Sequence, residues 1–155
     1  QFDRMTGGPS LGYWPWFLLA QPEPFPERLI AGAPEHILRF IFDSWADRAE
    51  AIDADAFAVY AAALDAATAA SMCADYRASF WLDRADEAAD RRAGRRIECP
   101  VLVLTGAAET QLADAGEVWS TWAPDVRAAT LPGGHFIPEE AAGPLAAVLT
   151  EFLAG

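Results

Sequence analysis

The stretch "LPGGHFIPEE", residues 131 to 140, carries the side chain best suited to chemistry. His135 follows the short run "VRAATL" behind two glycines, which let a loop turn sharply. An imidazole titrates near neutral pH, so a histidine there can serve as a general base. The competing reading is a loop histidine hydrogen-bonded to structure. A carboxylate to orient such a base has two candidates. Glu109 lies three residues beyond Gly106 in "CPVLVLTGAAET", and Asp114 follows. By spacing alone, a solvated loop acid is the simpler reading of both. By residue type and spacing alone, Tyr76 reads as core.

These groups need elements to hold them. "CPVLVLTG", 99 to 106, is an apolar run without alternation, as expected of a strand buried on both faces of a parallel sheet. "DAGEVWSTWAP" reads as a helix, "VRAATL" as a second strand, and "GPLAAVLTEFLAG" as an amphipathic helix with Leu145, Val148, Leu149, Phe152 and Leu153 on one face. Trp119 and Trp122 are expected in the core. Upstream the texture is helical. "APEHILRFIFDSWADRA" has Pro34 in its first turn and Ile37, Leu38, Ile41 and Trp45 at helical spacing. "DADAFAVYAAALD" places Phe57, Tyr60 and Leu64 on one face, packing within the helical part. A third helix covers 66 to 81, with Met72, Tyr76 and Phe80 four apart. A charged one, read as a solvated face, stops at Gly94. The expected organisation is a lead-in segment, 1–12, a helical cap, 13–96, and an α/β portion, 97–155. Two strands do not complete a two-sided sheet, so that portion reads as the last part of a larger α/β domain.

Composition narrows the function. The chain has 155 residues, 53% of them apolar, enough for a sizeable core. Its net charge of −12, from 23 acids against 11 bases, repels phosphate backbones and excludes nucleic acid as the expected partner. No apolar run approaches the ~18 residues of a membrane helix. Cys73 and Cys99 fit neither a metal site nor a disulfide framework, which suits a reducing, cytoplasmic setting. Cys73 reads as a buried structural thiol and His36 as exposed. The opening "QFDRMTGGPS" lacks the apolar segment of a signal peptide and reads as mid-protein sequence.

In order, "YWPWFLLAQPEPFPERLIAG", "MCADYRA", "CPVLVLTG" and "GGHFIPEE" closely resemble the second half of the haloacetate (fluoroacetate) dehalogenases, α/β-hydrolases. The resemblance runs from about residue 10 to the end. It implies a partial α/β-hydrolase fold: a helical cap, then the last two strand–helix units of a parallel sheet. It also implies an aspartate nucleophile that displaces halide, and a histidine that activates water against the resulting ester. On that pattern His135 is the base, and Trp16 and Tyr76 are halide donors of the cap. Nucleophile, oxyanion hole and substrate arginines fall upstream, as does the family's usual acid, leaving Glu109 a superfamily-level alternative. No cofactor or metal is implied. The implied partners are a small haloacid or epoxide, the missing first half of the core, and a second copy in a dimer.

One departure bears on substrate. The family pattern reads Tyr-Trp-His-Trp, and Pro15 stands where the histidine, a halide donor, is expected. Proline has no side-chain donor and no N–H. Fluoride, the poorest leaving group, is therefore disfavoured relative to chloride, an epoxide or an ester. The chain alone is expected to be inactive. Epoxide hydrolysis with cap tyrosines, and a non-catalytic interaction module, are the rival readings.

Overall fold

Proline sets how the helical part begins. Pro15 and Pro26 stand in the first turns of α1 (Trp14–Leu19) and α2 (Phe25–Gly32), and Pro34 opens α3 (Pro34–Trp45). A first-turn N–H has no intrahelical partner, so its absence costs little there. The Glu23–Pro24 bond before α2 is cis. This computed structural model describes residues 12–48, 51–109 and 114–155. All but the last residue of the lead-in segment therefore lie outside it.

Aspartates begin the next two helices. Asp53 accepts from the Ala56 N–H at 2.7 Å ahead of α4 (Ala54–Ala63). Asp65 accepts from the Thr68 N–H at 2.8 Å and caps α5 (Ala66–Ala78). The Thr68 backbone bond holds the Asp65 carboxyl below its ordinary range. The expected third helix does not stay regular: Ser79–Asp83 form a π-helical turn before α6 (Arg84–Ala93). Such widened turns carry no simple sequence signal. Gly94, at φ +64°, ends α6 where expected.

The chain divides into two compact units. One runs up to Leu38 and resumes over Ala58–Ala93; the other comprises Arg39–Phe57 and Gly94–Gly155. In the first, Leu19, Ile30, Ala69 and Cys73 form the core, with Ile37, Leu64, Met72 and Tyr76 packed against it. Full burial of Ile30 contributes about 1.5–3 kcal/mol.

In the second unit β1 (Val101–Gly106) pairs in parallel with β2 (Val126–Leu131), in register from Val101 opposite Val126 to Gly106 opposite Leu131. Among the described residues these two strands are the whole sheet. Leu131 packs with Ile137 of α8 (Ile137–Glu140) and Ala141, and with Leu104 of β1 and Leu145 and Val148 of α9 (Ala142–Ala154). The helix α7 (Ala115–Ser120) meets the sheet closely at Gly116, where a Cβ would lie 2.9 Å from that of Ala128.

Some packing expectations fail. Trp119, expected in the core, is 42% exposed, because α7 makes its close approach through Gly116 instead. Leu149 and Leu153 of α9 are exposed, because the apolar face of this helix is wider than two strands can cover. Tyr60 is also exposed, and α4 buries no residue fully. Phe57 instead packs on Phe42, with the Arg39 guanidinium 3.5 Å from its ring centre. His36 is exposed and Cys73 fully buried, as expected.

Candidate active site

The loops leaving β1 and β2 are bonded to each other. The Ala107 N–H donates to the Leu131 carbonyl at 2.8 Å, and the Ala108 N–H to that of Gly133 at 3.0 Å. This approach needs glycine. A Cβ on Gly106 would lie 2.6 Å from the Gly133 carbonyl oxygen and would also strike that of Gly134. The consequence is chemical: Glu109 Oε2 comes within 3.3 Å of His135 Nδ1. The Glu109 side chain is 15% exposed and His135 37%, so the pair is sheltered at the acid and open at the imidazole. A carboxylate on Nδ1 favours the tautomer with the proton there. Nε2 is then the ring atom placed to exchange a proton. Asp114, the other candidate, lies at the start of α7 and lines the cleft between α7 and the sheet.

Residues far away in sequence complete this surrounding. The Trp45 ring lies 4.9 Å from the His135 ring, centre to centre, tilted by 58°. The His135 N–H donates to the Trp45 carbonyl at 2.9 Å. Phe136 packs edge-on against Phe42 at 4.9 Å. Glu140 accepts from the N–H groups of Asp47 at 2.7 Å, Gly134 at 3.0 Å and Phe136 at 3.1 Å. Sequence reasoning assigns neither Trp45 nor Glu140 to the site; the acidic "PEE" shortly after His135 is the one available signal.

The expected cap donors meet in the first unit. The Trp16 and Tyr76 rings are edge-to-face, 5.6 Å apart at 71°, and Tyr13 sits against Trp16 at 5.4 Å. Burial, with the nearby Asp75 charge, pushes the Tyr76 phenol above its ordinary pKa. It stays protonated and can donate. Pro15 is fully buried. Next to Tyr76, Arg77 ties α5 to α2. It donates to Glu27 Oε1 at 2.8 Å and to the Gln21 carbonyl at 3.1 Å. Burial opposes ionisation of Glu27, but the Arg77 bond, a backbone bond and the Arg77 charge together hold its carboxyl below the ordinary range. Glu27 Oε2 is buried with no hydrogen-bond partner among the described residues. Burial, reinforced by Glu27, raises the Cys73 thiol, with Arg77 partly opposing. That fits an unreactive thiol.

Among the described residues no cluster of three or more ligands could hold a metal ion, and no single helix is long and apolar enough to cross a membrane. No family model matches the chain. A fluoroacetate dehalogenase from Burkholderia sp. is 34% identical over 98% of the chain, but over only 51% of its own length. The structure of a proposed epoxide hydrolase from Pseudomonas aeruginosa superposes with a TM-score of 0.90 at 37% identity, covering 99% of the chain and 52% of its own. A proposed acyltransferase from Salmonella enterica gives 0.91 at 31% identity, covering 99% and 51%. The chain thus spans about half the length of the proteins it matches. Their names differ in chemistry while the fold is shared, so the fold alone does not assign a reaction. By sequence and by fold, the chain corresponds to the second half of the haloacetate dehalogenase-like α/β-hydrolases, cap plus C-terminal core.

Proposed function

We propose that the chain supplies the base and the cap donors of a hydrolase that works through an ester bonded to the enzyme. An aspartate outside these 155 residues attacks the carbon bearing the halogen of a small haloacid. A carbon–oxygen bond forms, the carbon–halogen bond breaks, and halide leaves with the electron pair. Trp16 N–H and Tyr76 O–H donate to the departing halide. His135 Nε2 then takes a proton from water as its oxygen adds to the ester carbonyl. Collapse releases the hydroxy acid and restores the aspartate, and the proton held on His135 passes to solvent, which regenerates the base. Glu109 orients His135, in place of an acid from elsewhere in the fold.

The observation that carries this reading is the 3.3 Å contact between Glu109 Oε2 and His135 Nδ1, in a glycine loop at the carboxyl end of a parallel strand. The likeness to the Burkholderia fluoroacetate dehalogenase supports the haloacid class. Pro15 offers halide no hydrogen bond, which favours chloride over fluoride as the leaving group. The other edge of β1, unpaired among the described residues, suits a further parallel strand from the rest of the core.

A second reading is favoured by Tyr76. A half-buried, protonated phenol can polarise an epoxide oxygen, and the Pseudomonas relative is described as a proposed epoxide hydrolase. That reading needs no halide donor at position 15. The test is an assay of the hydrolase that contains this chain, offered chloroacetate, fluoroacetate and a small epoxide. Chloride release exceeding fluoride release supports the first reading. Diol formation without halide release favours the second, and no turnover of any of them rejects both.

A further inference from the structure

Two glycines before a histidine would ordinarily be explained by a turn, yet here both also clear space for other groups. A Cβ on Gly133, whose φ is +111°, would lie 2.8 Å from the Cβ of Glu140. One on Gly134 would lie 2.6 Å from the Asp47 amide nitrogen. The space is taken by a carboxylate and by the backbone it binds. Glu140 Oε1 accepts from the N–H groups on either side of His135, those of Gly134 and Phe136. Its Oε2 accepts from Asp47. The His135 N–H itself goes to the Trp45 carbonyl, whose residue also packs its ring against the imidazole. Backbone N–H groups 134, 135 and 136 are all committed, two of them to this one side chain.

We propose that Glu140 is a positioning residue for His135. Its carboxylate clasps the loop to the 45–47 backbone and thereby holds Nδ1 on Glu109 and the ring against Trp45. This inference rests on His135 being the base of the proposed hydrolase, but its test does not need turnover. Replacing Glu140 by glutamine keeps the shape and one acceptor oxygen. It turns an N–H₂ group toward the Asp47 N–H or toward the 134 and 136 N–H groups, so part of the clasp must break. Shortening it in E140D keeps the charge but lacks the reach to span all three donors.

The experiment is long-range ¹H–¹⁵N NMR of the full 155-residue chain, with the two histidines distinguished by H36N. The wild type is expected to hold neutral His135 with its proton on Nδ1. E140Q is expected to lose that preference, and one set of clasp amides, 47 or 134 with 136, to lose roughly ten- to a hundredfold of its exchange protection. The α9 amides should stay protected. E140D should lie between the two, and it carries the test if E140Q does not fold. An unchanged His135 tautomer with the clasp amides opened would overturn the proposal, leaving Glu140 a loop support only. Absence of hydrolysis in the assay above would reject the enzyme reading and leave this result standing.

Discussion

Replacing Gly134 by alanine tests the idea that the histidine loop is set by close backbone approach. The added methyl would lie 2.6 Å from the Asp47 amide nitrogen and 2.9 Å from the Ala46 carbonyl carbon, both main-chain atoms that no rotamer change can move. Overpacking of this kind costs about 1–3 kcal/mol. Separating the two backbone segments also threatens the bond from the His135 N–H to the Trp45 carbonyl, 2.9 Å long, worth about 0.5–1.5 kcal/mol. The expected loss is therefore about 1.5–4.5 kcal/mol, read by urea unfolding with the slope unchanged. Gly32 is the internal control. It lies in the last turn of α2, where an added methyl would meet nothing within 4 Å beyond its chain neighbours, and alanine there should stabilise by about 0.4–1 kcal/mol. Opposite signs at the two glycines are the prediction. A G134A chain as stable as the wild type would refute the reasoning, as would equal effects at both sites.

Three further outcomes follow from the geometry. Glu27→Gln should destabilise by about 1–3 kcal/mol at neutral pH, because it weakens the charged bond to Arg77. The Glu27 carboxyl is held below its ordinary value of 4.5, so its contribution is present above that pH and lost as pH falls through the lower folded value. Wild-type and E27Q stabilities should therefore converge in acid, which urea titrations across pH will read. Tyr76→Phe keeps the ring against Trp16, so stability should change little while kcat of the hydrolase containing this chain falls about tenfold or more. Glu109→Gln should lower kcat by at least about a hundredfold with KM little changed, if Glu109 rather than another acid orients His135; an unaffected kcat would return the role to the rest of the fold.

The sequence is most legible where the signal is local. The unbroken "VLVLTG" run announces a strand and Gly94 the end of α6; both stand in the structure, although in β1 only Val103 and Gly106 are buried and the full burial expected on both faces is not seen. The parallel pairing follows from strand, helix and strand in order. Spacing alone names Glu109, against a simpler reading as a solvated acid, and it meets His135. What stays hidden is mostly long-range. Glu140 and Asp47 are 93 positions apart, and no periodicity links a loop acid to a distant amide. Trp45 reads as one apolar position of α3, with nothing to say that its carbonyl and ring face a histidine far along the chain. Trp119 and Leu153 show the converse: apolar residues at helical spacing are expected to be buried, but burial needs a partner surface, and the described sheet has only two strands.

The most direct test concerns His135 as the base that resolves an ester. In the hydrolase containing this chain, His135→Asn should still permit halide displacement but not hydrolysis. Intact-protein mass spectrometry after brief exposure to chloroacetate should then show a stable adduct of one carboxymethyl group, with about one chloride released per active site. Sustained turnover by the variant, or stoichiometric chloride release with no adduct, would contradict the account.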